Sequence, residues 1–269
     1  MDRARKLVRI FAFAALTTFA ALVVIGLPPI AALTAQLPNS ESVVRGSAPP
    51  NHFVRGLRPG AFVYQMTIER DVSTIVLGTR MVSVTQTSYA GSPAWLLLES
   101  RTGDGIPASD SLLVDVLSLH PVHWSSTLGR ARIVAEFRGD SAFGALSAPA
   151  TRRSIVAGLP AGTIVSAPML ESELRLLPLQ SAWEDSTSTL VVTLGGNTVL
   201  PTRISVIGED RVRVPAGQFD CWVVSVHAGD TARGLYWVTK TDPIVVRSSL
   251  DVPTMGGAQL VSALVSIGR

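Results

Sequence analysis

Residues 130–138 of the chain read Arg-Ala-Arg-Ile-Val-Ala-Glu-Phe-Arg, and apolar and polar side chains alternate along this stretch. Ala131, Ile133, Ala135 and Phe137 fall on one face, while the three arginines, Val134 and the glutamate fall on the other. A period of two is the repeat of a β-strand, whose successive side chains point to opposite faces. The stretch therefore predicts a strand with one covered and one wet face, which is typical of an antiparallel sheet.

Similar short runs, rich in Val, Ile, Thr and aromatic residues, extend in both directions and alternate with clusters of Gly, Asp, Pro and Ser. Such punctuation is the signature of strands joined by turns. The predicted strands are 62–70, 73–87, 94–101, 111–119, 131–138, 142–147, 152–157, 187–194, 198–207, 219–227, 234–239, 244–251 and 259–267.

One segment, 168–184, interrupts the strands and has a helical pattern. Pro168 suits a first helical turn, and leucines recur at helical spacing up to Leu177, with Glu171 and Glu173 expected to face elsewhere. Pro178 then ends the helix. With strands on both sides and no regular βαβ alternation, the pattern predicts a mainly β fold: a curved antiparallel sheet with one central helix packed against it.

The first 35 residues have the composition of an export leader. Basic side chains precede an uncharged apolar stretch at 10–27, and small residues up to Ala35 follow two prolines. This pattern predicts a signal peptide, with an uncleaved N-terminal membrane anchor as the alternative. Either reading places the rest of the chain in the periplasm or at the extracytoplasmic face of the cell envelope. We expect a flexible linker over 36–59 and a single domain over 60–269.

The charge and cysteine content of the chain exclude some classes of function. Of the 23 basic and 20 acidic residues in the chain, 19 of each lie in 36–269, so the predicted mature body is neutral. A nucleic-acid-binding domain would be basic, so we expect no nucleic-acid partner. The only cysteine, Cys221, cannot form an internal disulfide and is interpreted as a small buried hydrophobe.

The most distinctive motif is Val-Pro-Ala-Gly-Gln-Phe at 214–219, followed by a Tyr-Trp strand and a Pro-Ile-Val-Val-Arg strand. Pro presets a φ near −65° and Gly tolerates a positive φ, so Pro-Ala-Gly suits a tight turn between strands. We take the structural motif residues to be Pro215, Gly217, Phe219, Trp237 and Pro243.

These residues resemble the bacterial exported proteins grouped as domain of unknown function 3108, and the resemblance covers roughly 60–269. It implies a fold similar to the carriers LolA and LolB, which is an incomplete antiparallel β-barrel around helical lids with an apolar cavity. The family has no established reaction, so the resemblance supplies a fold and suggests an apolar ligand, and it supplies no catalytic residues. We expect no cofactor.

Three functional hypotheses remain open. The first is a non-enzymatic envelope protein that binds a lipid or another apolar molecule on the concave face of the sheet. Its candidate lining residues are Trp95, Leu97, Leu174, Trp183, Trp222 and Trp237. The second is a structural or assembly module with an envelope protein as its partner and no cavity. The third is a hydrolase that uses His120, His123 or Ser141.

Metal binding is not predicted. His120 and His123 lie near one another but lack a visible third ligand, and Pro121 between them breaks regular geometry. The acidic residues at 104, 110 and 115 lack the regular spacing of a calcium loop, and turn formation explains the Gly-Asp pattern better.

Overall fold

The computed structural model describes residues 56–104, 107–230 and 232–268. The described residues form fourteen strands, one α-helix and one short 3-10 turn. The strands are β1 (Gly60–Arg70), β2 (Ser73–Tyr89), β3 (Ser92–Gly103), β4 (Ala108–Asp115), β5 (Pro121–Leu128), β6 (Ala131–Arg138), β7 (Ser141–Ala148), β8 (Thr151–Gly158), β9 (Glu184–Thr193), β10 (Gly196–Val214), β11 (Gly217–Ala228), β12 (Ala232–Thr239), β13 (Val245–Val252) and β14 (Ala258–Gly268). The α-helix is α1 (Ala167–Leu174), and the 3-10 turn is Pro253–Met255.

All fourteen strands belong to one antiparallel sheet. Each strand from β1 to β8, and each from β9 to β14, pairs with its neighbour in the chain, and β1 joins the two groups by pairing with β14. The strands at the two ends of this order are β8 and β9, and the connection between them carries α1. The mainly β fold, with a sheet curled around one helix, is confirmed.

The gap between the two end strands is nearly closed. Ile164, in the segment before α1, forms a parallel bridge with Thr189 of β9. Across the gap, the side-chain amide of Asn197 donates to the carbonyl oxygen of Val156 on β8 (3.1 Å). These contacts satisfy some of the backbone groups on the free edges of the two end strands. The result is a nearly closed, barrel-like sheet.

Alternating burial follows the sequence pattern in most strands. In β6, Ile133, Ala135 and Phe137 are buried while Arg132 and Arg138 are exposed, as the alternation of the sequence predicts. In β1, every second side chain from Phe62 to Ile68 is buried. The buried faces line the inside of the curved sheet, where α1 lies.

Helix α1 begins at a cap supplied by Ser166, whose hydroxyl accepts a hydrogen bond from the Met169 amide (3.4 Å). This contact satisfies one of the amides that an α-helix leaves unpaired at its start. Seven of the eight helical residues are buried, including Glu171 and Glu173. The expectation that these two glutamates face away from the packed side is wrong, because the sheet surrounds the helix.

The sequence pattern missed one strand and misplaced two others. Strand β5 was not predicted, although proline fits the first position of a strand, where it need not donate to the ladder. The strand expected at 111–119 ends at Asp115, whose carboxylate accepts from the amides of Leu117 and Ser118 and starts a turn. Strand β10 continues to Val214, seven residues beyond its expected end.

The extra length of β10 forms a hairpin with β11 that folds against the outer face of the sheet. A bulge between Val206 and Gly208 changes the register where the hairpin leaves the wall. At the hairpin tip, the Ala216 amide donates to the carbonyl of Leu264 on β14 (3.0 Å). Pro215 and Ala216 form the turn, and the φ of Gly217 is 141°, so the proposed turn geometry is observed.

Close packing of β6 against β7 yields a stability prediction. A Cβ at Gly144 would lie 2.1 Å from the Val134 carbonyl oxygen, whereas a Cβ at Gly158 would meet no atom within 4 Å. We expect Gly144→Ala to lower the free energy of unfolding by about 1–3 kcal/mol. Gly158→Ala, the matched control, should change it by less than about 0.5 kcal/mol. Urea unfolding of both variants checks this, and equal effects would contradict the packing described.

Candidate functional site

A buried arginine connects the helix to the sheet. Arg80, on β2, points inward and is 4% exposed. Its guanidinium donates through Nη2 to Glu99 Oε2 on β3 (2.7 Å) and through Nη1 to Glu171 Oε1 on α1 (2.7 Å). Arg101 adds a second guanidinium, which donates from Nε to the other oxygen of Glu99. We call these four side chains the central ion network.

The pKa values of the two carboxyl groups in the central ion network shift in opposite directions. Burial works to raise the pKa of Glu99, but the charges of Arg101 and Arg80 prevail and lower that pKa to about 2. At Glu171 burial prevails over the attraction of Arg80, and the pKa is raised. Burial also works to lower the pKa of Arg80, but the two glutamates raise it well above its usual value. The helix end of the network is therefore the more easily protonated end.

Aromatic side chains surround the network. The guanidinium of Arg80 lies 5.2 Å from the ring centroid of Tyr64, within the range of a cation–π contact. The Tyr64 hydroxyl donates to the carbonyl of Val245 (2.9 Å). Tyr236, on β12, is also buried. Burial raises the pKa of both phenols, so both stay neutral at physiological pH.

A second helical carboxylate, Glu173, has no side-chain hydrogen bond or ion pair within the described part of the chain. Burial alone raises its pKa to about 8. Its surroundings are mostly apolar and include Leu57, Leu97, Val114, Leu119 and Met169. Glu173 is therefore mostly protonated at neutral pH, because a lone buried charge is costly.

Asp110 extends the acidic side of the interior along β4, directly opposite Glu99. The indole Nε1 of Trp124 donates to its carboxylate (3.0 Å). Burial, assisted by the negative charge of Glu99, raises the pKa of Asp110 to about 7. Near neutral pH this carboxyl group is partly protonated.

Two cavities beside α1 are small. One, of about 10 Å³, lies next to the central ion network and is lined by Phe62, Tyr64, Val82, Val84, Glu171, Ser172, Arg175, Ile244 and Val245. The other, of about 30 Å³, lies at the rim and is lined by Gly56, Leu57, Arg58, Arg175, Leu176, Asp242 and Pro243. Each has room for a water molecule or two, and neither could hold an acyl chain.

The candidate lining residues fall into three places. Trp95 and Leu97 are buried in the apolar cluster formed mainly by β3–β8. Leu174 is buried in the cluster formed with β10–β13, where Trp183 and Trp222 pack at its edge. Their role in ligand binding stays a prediction.

Trp237 is not brought together with the other five. It lies on the outer face of β12, where its indole donates to Asp210 of the folded hairpin (2.9 Å). The guanidinium of Arg247 lies 5.1 Å from the ring centroid of Trp237. Strand alternation turns Tyr236 inward and Trp237 outward, so these neighbours belong to different faces.

His120, His123 and Cys221 lie away from the central ion network. His123, on the outer side of β5, forms a 2.7 Å contact with Glu136, and its ring stacks on Tyr89. Within the described residues, the Nε2 atom of His120 is buried with no hydrogen-bond partner. Cys221 is buried on the opposite side of β11 from Trp222, and burial raises the pKa of its thiol to about 12. Among the described residues, no three His, Cys, Asp or Glu side chains cluster as metal ligands do.

Sequence reasoning did not identify the central ion network, although a signal was present. Arg80 shares its strand face with Val82 and Val84, and Glu99 shares its face with Trp95 and Leu97. A charged residue on an otherwise apolar strand face indicates a buried charge that needs a partner. The partner on α1 follows only from the closure of the sheet.

Removing the Arg80 guanidinium should lower the stability of the fold, because its carboxylate partners stay buried. We expect Arg80→Met to lower the free energy of unfolding by about 3–5 kcal/mol, because Glu171 is left buried without its cation. The double variant Arg80→Met, Glu171→Leu should recover at least about 1 kcal/mol, since it removes one orphaned charge. Chemical denaturation of both variants measures this, and a loss below about 1 kcal/mol for Arg80→Met would contradict the network.

Glu173 makes stability depend on pH with a definite sign. Its folded pKa of about 8 lies above the ordinary value of 4.5, so the folded chain binds more protons between these values. The stabilisation that protonated Glu173 contributes to the folded state is fully present below pH 4.5 and is lost as the pH rises through 8. We expect wild-type stability to fall by roughly 2 kcal/mol from pH 6 to pH 8 through this group. Glu173→Gln should flatten the slope measured by urea unfolding, and an unchanged slope would count against this assignment.

In the described part of the chain, no helix is long and apolar enough to cross a membrane. Comparison with curated proteins finds no match. Three solved chains match this one, and one of them, from Bacteroides fragilis NCTC 9343, is described as a candidate exported protein with a YmcC-like fold. That chain is 11% identical, the alignment covers 81% of this chain and 99% of the other, and the TM-score is 0.29.

The family comparison is decisive for classification. The model of a protein family of unknown function, DUF3108, matches residues 52–259, which include the central ion network, α1 and the folded hairpin. The chain therefore belongs to the DUF3108 family.

Proposed function

We propose that this chain is an exported, non-catalytic protein of the cell envelope that binds a lipid or another apolar molecule on the concave face of its sheet, in the place now filled by α1. The observation that carries the proposal is the position of α1: a short helix enclosed by the sheet and attached to it by a buried ion pair. The leader supports an extracytoplasmic location.

The space that α1 fills has the dimensions of a ligand site. Eight helical residues span about 12 Å, and with its side chains a helix is about 10 Å wide, which gives roughly 900 Å³. Ligand pockets of proteins occupy a similar range. The walls on either side are apolar and include Trp95, Leu97 and Trp222, so a guest in this space would be dehydrated.

The helix can leave without breaking the sheet. It lies in the connection between β8 and β9, and within the described residues these two strands share no ladder of hydrogen bonds. Movement of the segments on either side of α1 would break the bridge of Ile164 to Thr189 and the short contacts near it. The ladders that hold the remaining strands together would stay intact.

The helix is also a costly occupant. It brings Glu171 and Glu173 into the interior, and only Glu171 meets a cation there. Returning Glu173 to water removes a buried carboxyl that has no cation, and Arg80 keeps its hydrogen bond to Glu99 when Glu171 leaves. An apolar guest can therefore compete with α1 for the same place.

The small cavities favour one alternative, a structural module with a filled interior and a protein partner. Binding measurements on the purified protein separate the two functions. Native mass spectrometry of the protein recovered from a bacterial periplasm, before and after organic extraction, should show an adduct of lipid mass that extraction removes. A clean unliganded mass, together with no displacement of an added apolar dye, would favour the structural module.

A variant of the helix end of the network tests the mechanism. Glu171→Gln removes the charge that holds α1 to Arg80 and so raises the population with the helix released. We therefore expect an apolar fluorescent dye to bind roughly 5- to 10-fold more tightly, saturably and with one site. Glu184→Gln is the matched control, because it removes a glutamate from an exposed ion pair with Arg203. Equal dye affinity in Glu171→Gln and wild type would contradict release of the helix, and non-saturable binding would indicate unfolding instead.

A further inference from the structure

Three neighbouring strands carry a concentration of arginine that the rest of the body lacks. Residues 130–158, which span β6 to β8, contain five arginines and two acidic residues, although the chain from residue 36 onward is neutral. The arginines are Arg130, Arg132, Arg138, Arg152 and Arg153, and all five are exposed. None of them forms an ion pair within the described part of the chain, where the observed pairs involve other basic residues.

The outward residues of these strands form a regular grid. Arg132 lies opposite Ser147, which lies opposite Arg152, so two arginines stand two strands apart, or about 10 Å. Arg138 lies six residues further along β6, about 20 Å from Arg132. Positive charge therefore marks both ends of this face. We call the outward face of β6–β8, with Arg132 and Arg152 at one end and Arg138 at the other, the arginine face.

The centre of the arginine face carries two exposed apolar side chains surrounded by small ones. Phe143 of β7 and Val156 of β8 are directly paired, with exposed fractions of 45% and 65%. Between them and the arginines lie small side chains, including Ala145 and Ser154. An aromatic and an aliphatic side chain, flanked by cations, therefore project from a face with few other large groups.

Acidic side chains do little to neutralise this face. Glu136 shares the grid with Phe143, but its carboxylate is engaged by His123 (2.7 Å) and by the Tyr89 hydroxyl (3.4 Å). Asp140 lies in the turn beyond Arg138, at one end of the face. The other end, with Arg132 and Arg152, has no acidic neighbour on the three strands.

We propose that the arginine face binds the surface of an anionic phospholipid membrane. Arginine pairs with phosphate groups through a planar fork of donors, and exposed aromatic and aliphatic side chains enter the boundary between headgroups and acyl chains. Two sets of features point to a lipid surface: cations spread over about 20 Å, and apolar side chains between them. The predicted leader brings the body to a membrane during export, which places this partner within reach.

The test uses the full chain expressed in a bacterial host. Protein recovered from a soluble fraction is added to vesicles, and protein recovered from the membrane fraction is reconstituted into them. Val156→Cys is labelled with an environment-sensitive fluorophore, which is selective because the native Cys221 is buried. The vesicles contain either phosphatidylcholine alone or phosphatidylcholine with 30% phosphatidylglycerol. A label at Ile207→Cys, an exposed position on the β10 bulge, is the matched control.

We expect the label at 156 to move into an apolar environment only with phosphatidylglycerol, and to return to water in 0.5 M salt. Replacing Arg132, Arg138 and Arg152 by Ser should weaken this response about 100-fold, since each cation contributes about five-fold near an anionic surface. The same change at Arg203, Arg211 and Arg213 of β10 removes equal charge elsewhere and should have little effect.

Three outcomes would overturn the proposal. The first is an equal signal in neutral and anionic vesicles, and the second is equal loss of binding in the two triple-arginine variants. The third is an absence of vesicle binding while an acidic polypeptide binds the same face, which would identify a protein partner. Dye affinity for the concave face is measured separately, so this proposal can fail while the proposed function stands.

Discussion

Burial of the Arg80 guanidinium is the constraint on which the interior depends. A single cation inside a sheet cannot stay unpaired, because the cost of removing it from water far exceeds the margin by which proteins are stable. Glu99 satisfies it from the adjacent strand and Glu171 from α1. The second contact requires the helix to lie inside the sheet, and the nearly closed wall in turn keeps water from the pair. Helix position, sheet closure and ion pairing therefore support one another.

The helix also joins two apolar clusters that the sheet alone would leave apart. Met169 packs with the side chains of β3–β8, while Leu170 and Leu174 pack with those of β10–β13. An occupant of the concave face must satisfy both walls, and an apolar guest of comparable size could do so. The two helical glutamates distinguish α1 from such a guest. Glu171 supplies the second partner of Arg80, whereas Glu173 carries a polar group without a cation into a place that apolar atoms would fill at lower cost.

The Val-Pro-Ala-Gly-Gln-Phe motif at 214–219 lies on the other side of the wall. Pro215 and Gly217 shape the tip of a hairpin that bonds to Leu264, and Trp237 holds the hairpin through Asp210. These residues stabilise the outer face of β12–β14, and none of them enters the central ion network. The arginine face is a third region, on β6–β8, where the covering hairpin is absent. Interior, hairpin and arginine face are thus three parts of one sheet with different chemistry.

The sequence by itself determined the elements whose signals are local. Period-two alternation identified β6 and most other strands, the leucine spacing identified α1, and Pro-Ala-Gly identified the tip of the β10–β11 hairpin. Only the tertiary structure decided which groups meet. The partnership of Arg80 with Glu171 joins residues 91 positions apart, and the burial of Glu173 depends on walls from distant strands. Periodicity reports which residues share a face, but the environment of that face is set by closure of the whole sheet.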